Sequence, residues 1–217
     1  DYLLHCAQKN PQRIVPFAAV SLGSLPRAEK ELERCLSRGA KGVGELAFYL
    51  GGITARDVLR LSSWARTLAG TGIPLLLHVN EPVGHDYPGK SLKTLQPIYH
   101  LLQLIPEVTV ILAHWGGGFF FYELMPEVAR VSRNVHYDTA ASPFLYRPQV
   151  YSTAVRIIGP DRILWGSDFP LLPPSRYFRE LAGAGLSSRV RAKIQGGNAQ
   201  RLLGRQQKFR KSNFFYS

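Results

Sequence analysis

Four ionisable residues each close an apolar run, and their types suit metal chemistry. Glu45 follows Gly42-Val43-Gly44, His78 follows Leu75-Leu76-Leu77, His114 follows Val110-Ile111-Leu112-Ala113, and Asp168 follows Ile163-Leu164-Trp165-Gly166-Ser167. Imidazole and carboxylate together suit zinc, manganese or iron, with zinc the first expectation, and no cysteine lies near these positions to suggest a structural thiolate site. An ion with an open coordination position lowers the pKa of a bound water toward about 7, which makes hydroxide available at neutral pH.

Residues of this kind converge only if the elements carrying them do. From residue 14 onward short β-rich runs alternate with amphipathic helical patterns, the sign of repeated βα units and a parallel sheet. Strands are expected at 14–20, 42–46, 74–79, 108–113, 135–138 and 162–165. Helices follow them, one opening at Pro26, one N-capped by Thr54 with Asp57 three residues on, one on the stripe Leu95, Ile98, Leu102 and Ile105, one near 122–131, one over 148–158, and a final set over about 174–203. The four ionisable residues then fall at the ends of the second, third, fourth and sixth strands. Barrel curvature aims such ends at one axis, where functional groups of α/β barrels gather.

Composition narrows the class. Of 217 residues, 45% are hydrophobic and 19% charged, as in a globular domain. No run approaches the roughly 20 apolar residues of a membrane span, so a cytoplasmic location is the default reading. Cys6 and Cys35 are too few for a disulfide framework. The net charge of +12 raises nucleic acid as a partner, but no basic stripe interleaved with aromatics appears. A single domain is expected over 1–204, followed by a basic tail at 205–217 that carries Arg205, Lys208, Arg210 and Lys211.

Several motifs in order resemble the amidohydrolase-related (amidohydrolase family 2-like) TIM-barrel metal-dependent hydrolases. They are Leu77-His78-Val79, Leu112-Ala113-His114-Trp115-Gly116-Gly117, Tyr137-Asp138-Thr139, Gly166-Ser167-Asp168-Phe169-Pro170 and Gly197-Asn198-Ala199-Gln200-Arg201-Leu202-Leu203-Gly204. The resemblance implies a (β/α)8 barrel of which about six βα units are present, corresponding to the family's strands three to eight. It makes His78 the metal ligand of the fifth strand and Asp168 the aspartate of the eighth, which binds metal and shuttles a proton. His114 would bind a second metal or orient the attacking water, and Glu45 takes the position of a bridging carbamate or glutamate. The family's first strand ends in a His-x-His pair, and no His-x-His occurs in this sequence. Against a typical barrel length of about 250 residues, this predicts a parent longer at its N-terminus and poor metal binding by the chain as given.

The loop after His78 places His85 and Lys90 where barrel enzymes build substrate pockets; both are candidates to hold a substrate carboxylate. Trp115 is a candidate pocket wall, and Asp138 either caps a turn or contacts substrate. The first functional expectation is therefore a hydrolase of a C–O or C–N bond in a small molecule, with Asp168 as base and His114 as its partner. A non-hydrolytic decarboxylase of the same superfamily, a metal-dependent nuclease, and an inactive barrel fragment acting as a binding protein or homo-oligomer are the alternatives.

Overall fold

A computed structural model describes residues 1–49 and 51–204; the expected basic tail lies outside the described residues. Six parallel strands run β1 (Phe17–Ala18), β2 (Gly42–Leu46), β3 (Leu75–Leu77), β4 (Val110–Leu112), β5 (Val135–Asp138) and β6 (Ile163–Leu164), and each pairs with the next in chain order. That is the α/β arrangement of a TIM barrel, in which every crossover adds one strand to the same side. β2 and β5 span the expected residues, while β1, β3, β4 and β6 are shorter than the apolar runs that announce them.

Helices α1 (Tyr2–Lys9), α2 (Leu25–Ser37), α3 (Ala55–Ala65), α4 (Leu95–Leu104), α5 (Pro126–Val131), α6 (Ser142–Leu145), α7 (Gln149–Ile158), α8 (Pro174–Gly183), α9 (Ser188–Ala192) and α10 (Asn198–Gly204) complete the fold. The buried residues recur at helical spacing: Ala28, Leu32 and Cys35 on α2, and Val58, Leu61 and Ala65 on α3. Thr54 and Asp57 form a reciprocal capping box at the start of α3. α1 is an addition, since its eight residues carry only Leu4 and Ala7 inward and give little periodicity to read. No helix among the described residues is long and apolar enough to cross a membrane.

The helix expected near 122–131 begins instead at Pro126, and the reason lies upstream. His114–Leu124 is an irregular segment that opens with five consecutive left-handed residues, His114, Trp115, Gly116, Gly117 and Gly118. Its far end is fixed by Glu123, which is buried. The Glu123 carboxylate accepts from Arg162 Nη2 at 2.6 Å, Arg162 Nη1 at 3.0 Å and the Tyr137 hydroxyl at 2.7 Å. Burial, reinforced by the Glu123 charge, raises the Tyr137 phenol well above its ordinary range, so it remains a donor. Arg162 also donates to the Ser132 carbonyl at 2.8 Å. One charge pair thereby joins the segment after β4, the start of β5 and the start of β6.

At the close of the fold, buried Asn198 donates to the carbonyls of Pro160 and Ile163, both at 2.7 Å, and so docks α10 on β6. Breaking a buried ion pair by removing one partner leaves the other charge uncompensated. Glu123→Ala should therefore cost about 3 kcal/mol and lower Tm by about 6–12 °C in a domain of this size, while Leu59→Ala on the exposed side of α3 should stay within about 0.5 kcal/mol. Equal losses in thermal and urea unfolding would refute the network's structural weight.

Candidate metal centre

The register sets where each ligand emerges. Leu77 of β3 pairs with Leu46 of β2 and with Leu112 of β4, so residues at the ends of these strands lie side by side. Between Val43 and Leu46 the β2–β3 register slips by one residue, a bulge that re-aims the side chain of Glu45. Gly44 makes the bulge possible. It has φ 121°, and a β-carbon there would run into the Leu76 carbonyl oxygen.

Three donors converge. Glu45 Oε1 lies 2.8 Å from His78 Nδ1, His114 Nε2 lies 3.2 Å from His78 Nδ1, and Glu45 Oε1 lies 3.8 Å from His114 Nε2. Two ligands about 2.1 Å from a shared ion stand roughly 3.0–3.5 Å apart, so the spacing fits a single divalent cation. Nitrogen and oxygen donors without sulfur fit zinc, manganese or iron. Burial works to raise the Glu45 carboxyl, but the hydrogen bond and charge of His78, with His114 behind it, outweigh burial and hold the group below the ordinary carboxylate range.

His114 is the most constrained member. Its Nδ1 sits 3.1 Å from the Ala140 carbonyl, which can only accept, so Nδ1 carries the hydrogen and the Nε2 lone pair faces the other two donors. Its φ of 56°, and that of 59° at Trp115, are left-handed values that cost about 1–2 kcal/mol in a non-glycine residue. Two anchors hold the turn. The His114 N–H donates to Asp138 Oδ1 at 2.9 Å, and the Trp115 indole donates to Ser142 Oγ at 2.9 Å inside the core. Gly117 then crosses the chain after His78, and a β-carbon there would collide with the Asn80 carbonyl.

The remaining expected residues part company with the cluster. Asp168, on the loop after β6, is exposed and is not one of the three clustered donors; three loop residues separate it from Leu164, the last paired residue. Asp138 serves as a backbone cap: the same Oδ1 also accepts from the Ala140 N–H at 2.9 Å, and burial raises its carboxyl despite those bonds and the neighbouring His114. Trp115 is fully buried against Tyr151 and Phe120, because the left-handed turn throws it outward into the helix layer, so it does not wall a pocket. Lys90 donates to the carbonyls of Val83 and His85, both at 2.8 Å, and thus closes its own loop, while His85 is exposed beside Tyr87.

If Asp138 acts through the His114 backbone, removing the acceptor should weaken metal binding more than removing the charge. Calorimetric titration with Mn2+ should show Asp138→Ala losing about 10–100-fold in affinity and Asp138→Asn, whose Oδ1 still accepts, losing much less. Equal losses in the two variants would argue against the cap.

Set beside known proteins, the chain matches the amidohydrolase family over residues 1–205. A gamma-resorcylate decarboxylase from Polaromonas sp. strain JS666 is 25% identical over 248 residues, covering 94% of this chain and 74% of that protein. A 6-methylsalicylic acid decarboxylase from Penicillium expansum is 26% identical over 236 residues, covering 90% of this chain and 70% of that one. In fold, the chain superposes on a solved dihydroxybenzoic acid decarboxylase from Polaromonas sp. JS666, with bound manganese and the inhibitor 2-nitroresorcinol, at a TM-score of 0.71 and 22% identity, covering all of this chain and 76% of that one. These relatives overturn the expectation of a hydrolase, for the reaction in their names breaks a carbon–carbon bond without consuming water. They give zinc no preference either, since the metal named in that structure is manganese. By sequence and by fold, the chain belongs to the amidohydrolase family.

Proposed function

We propose that this protein is a metal-dependent, non-hydrolytic decarboxylase of a small aromatic acid bearing a ring hydroxyl. The observation that carries the reading is the Glu45–His78–His114 donor set at adjoining strand ends, in a chain aligned over nearly its whole length with decarboxylases of such acids. Held by these three donors, a divalent cation would supply positive charge to stabilise the carboxylate that is to be lost. His78 and Glu45 hold each other in place, and His114 turns its Nε2 to the same point. The net charge of +12 draws an anionic acid toward the protein.

The reaction balances simply: the bond from ring carbon to carboxylate breaks, CO2 leaves, and one proton replaces it on the ring. Asp138 is a poor source of that proton because its Oδ1 is occupied by two backbone N–H groups. Asp168 is the better candidate, as an exposed carboxyl on the loop that leaves β6 at the same end of the sheet.

Incubated with Mn2+ and 2,6-dihydroxybenzoate, the protein should release CO2 and resorcinol in equal amounts, and a chelator should abolish the release. Absence of CO2 from a panel of hydroxybenzoates would refute the proposal. Asp168→Asn should lower kcat about 100-fold or more with unchanged Mn2+ affinity, as expected of a proton donor. Loss of metal affinity instead would return Asp168 to the ligand role.

A further inference from the structure

The carboxyl assigned to deliver the proton is aimed by its backbone alone. Asp168 is exposed, and among the described residues its carboxylate makes no hydrogen bond or ion pair. Its φ of 53° is a left-handed value open to few side chains, aspartate among them. The two residues before it are gripped from outside the loop. Thr139 Oγ1 donates to the Gly166 carbonyl and accepts from the Gly166 N–H, both at 3.0 Å. Tyr177 Oη, on α8, donates to the Ser167 carbonyl at 2.6 Å. Beyond the acid, the Leu171 N–H closes the turn on the Asp168 carbonyl at 2.9 Å. Thr139 and Tyr177 are both fully buried, so the grip comes from the core.

The same stretch of chain holds His114. Asp138 Oδ1 accepts from the His114 N–H at 2.9 Å and the Ala140 carbonyl faces His114 Nδ1 at 3.1 Å, with Thr139 between these two residues. Gly166 packs against them: a β-carbon there would lie 3.3 Å from the Ala140 nitrogen and 3.4 Å from Asp138 Cγ. Residues 138–140 therefore fix a metal donor with one pair of groups and the approach to Asp168 with another. The separation of donor and acid is set at the end of β5.

We propose that Thr139 and Tyr177 are positioning residues that hold the Asp168 carboxyl in place relative to His114. This rests on the decarboxylase reading above, in which Asp168 gives the proton, and adds what keeps that group aimed. A misplacement of about 1 Å in a reacting group can cost about 100-fold in rate, so a hydroxyl that touches neither substrate nor metal can still be read in kcat.

Tyr177→Phe, which removes one hydroxyl and keeps the ring, should lower kcat for 2,6-dihydroxybenzoate about tenfold and change KM less than about twofold. In an Asp168→Asn background the same substitution should cost less than about twofold, since a residue that acts only through Asp168 has nothing left to position. Thr139→Val should behave as Tyr177→Phe does, and Thr139→Ser, which keeps the oxygen, should recover most of the loss. Amide hydrogen exchange reads the grip without turnover. It should quicken about tenfold at Leu171 in Tyr177→Phe and at Gly166 in Thr139→Val, while the His114 amide keeps its protection. Unchanged kcat in both variants, equal losses with and without the Asp168 carboxyl, or unchanged exchange at both amides would overturn the inference. Quickened exchange in variants of a protein that releases CO2 from no hydroxybenzoate would keep the hold on Asp168 and refute decarboxylation alone.

Discussion

The Glu45–His78–His114 cluster depends on one carboxylate oxygen outside it. Asp138 Oδ1 receives the N–H groups of His114 and Ala140, and so ties the end of β5 to the turn that follows β4. The left-handed backbone at His114 and Trp115 opposes this arrangement, and the cap, with the buried Trp115–Ser142 bond, outweighs it. Without that hold, an extended chain would carry the imidazole past the strand end and away from His78. Strain concentrated where chemistry is to occur, and stabilised from neighbouring strands, is a common arrangement in active sites.

The other two donors reach the same point by different means. His78 needs little help, being the next residue after Leu77, which pairs with Leu46 on one side and Leu112 on the other. Glu45 lies within its strand, one residue before the last, where plain alternation would not suffice. The bulge at Gly44 and Glu45 supplies the rotation. Three routes lead to one point in a barrel-type sheet with short strands, and the outer layer is locked independently through Glu123 and Arg162.

Much of this was legible in the residues. The six apolar runs, the helical stripes and the Thr54–Asp57 cap appear where periodicity places them, because each is a local pattern. Glu45, His78 and His114 could be read as a set because each ends an apolar run. What escaped was set by non-local contacts. Trp115 adjoins a ligand in sequence yet points into the core, since backbone handedness, not spacing, decides its direction. Lys90 looked free to bind an anion but is engaged by carbonyls of its own loop. The reaction was the least legible part: the same donors serve hydrolysis and decarboxylation, and the sequence resemblance alone favoured the wrong one of the two.

Gly117 carries a consequence for how such a protein could change. Its α-carbon rests on the Asn80 carbonyl, so the segment that sets His114 and the segment that leads from His78 into the substrate loop are in backbone contact with no side chain between them. Two modules that touch in this way cannot diverge separately. A new substrate loop, whether acquired by mutation or grafted by an engineer, must reproduce the path of residues 80 and 81 or displace a ligand. The variation this fold can tolerate therefore begins beyond that crossing, toward the loop tip near His85.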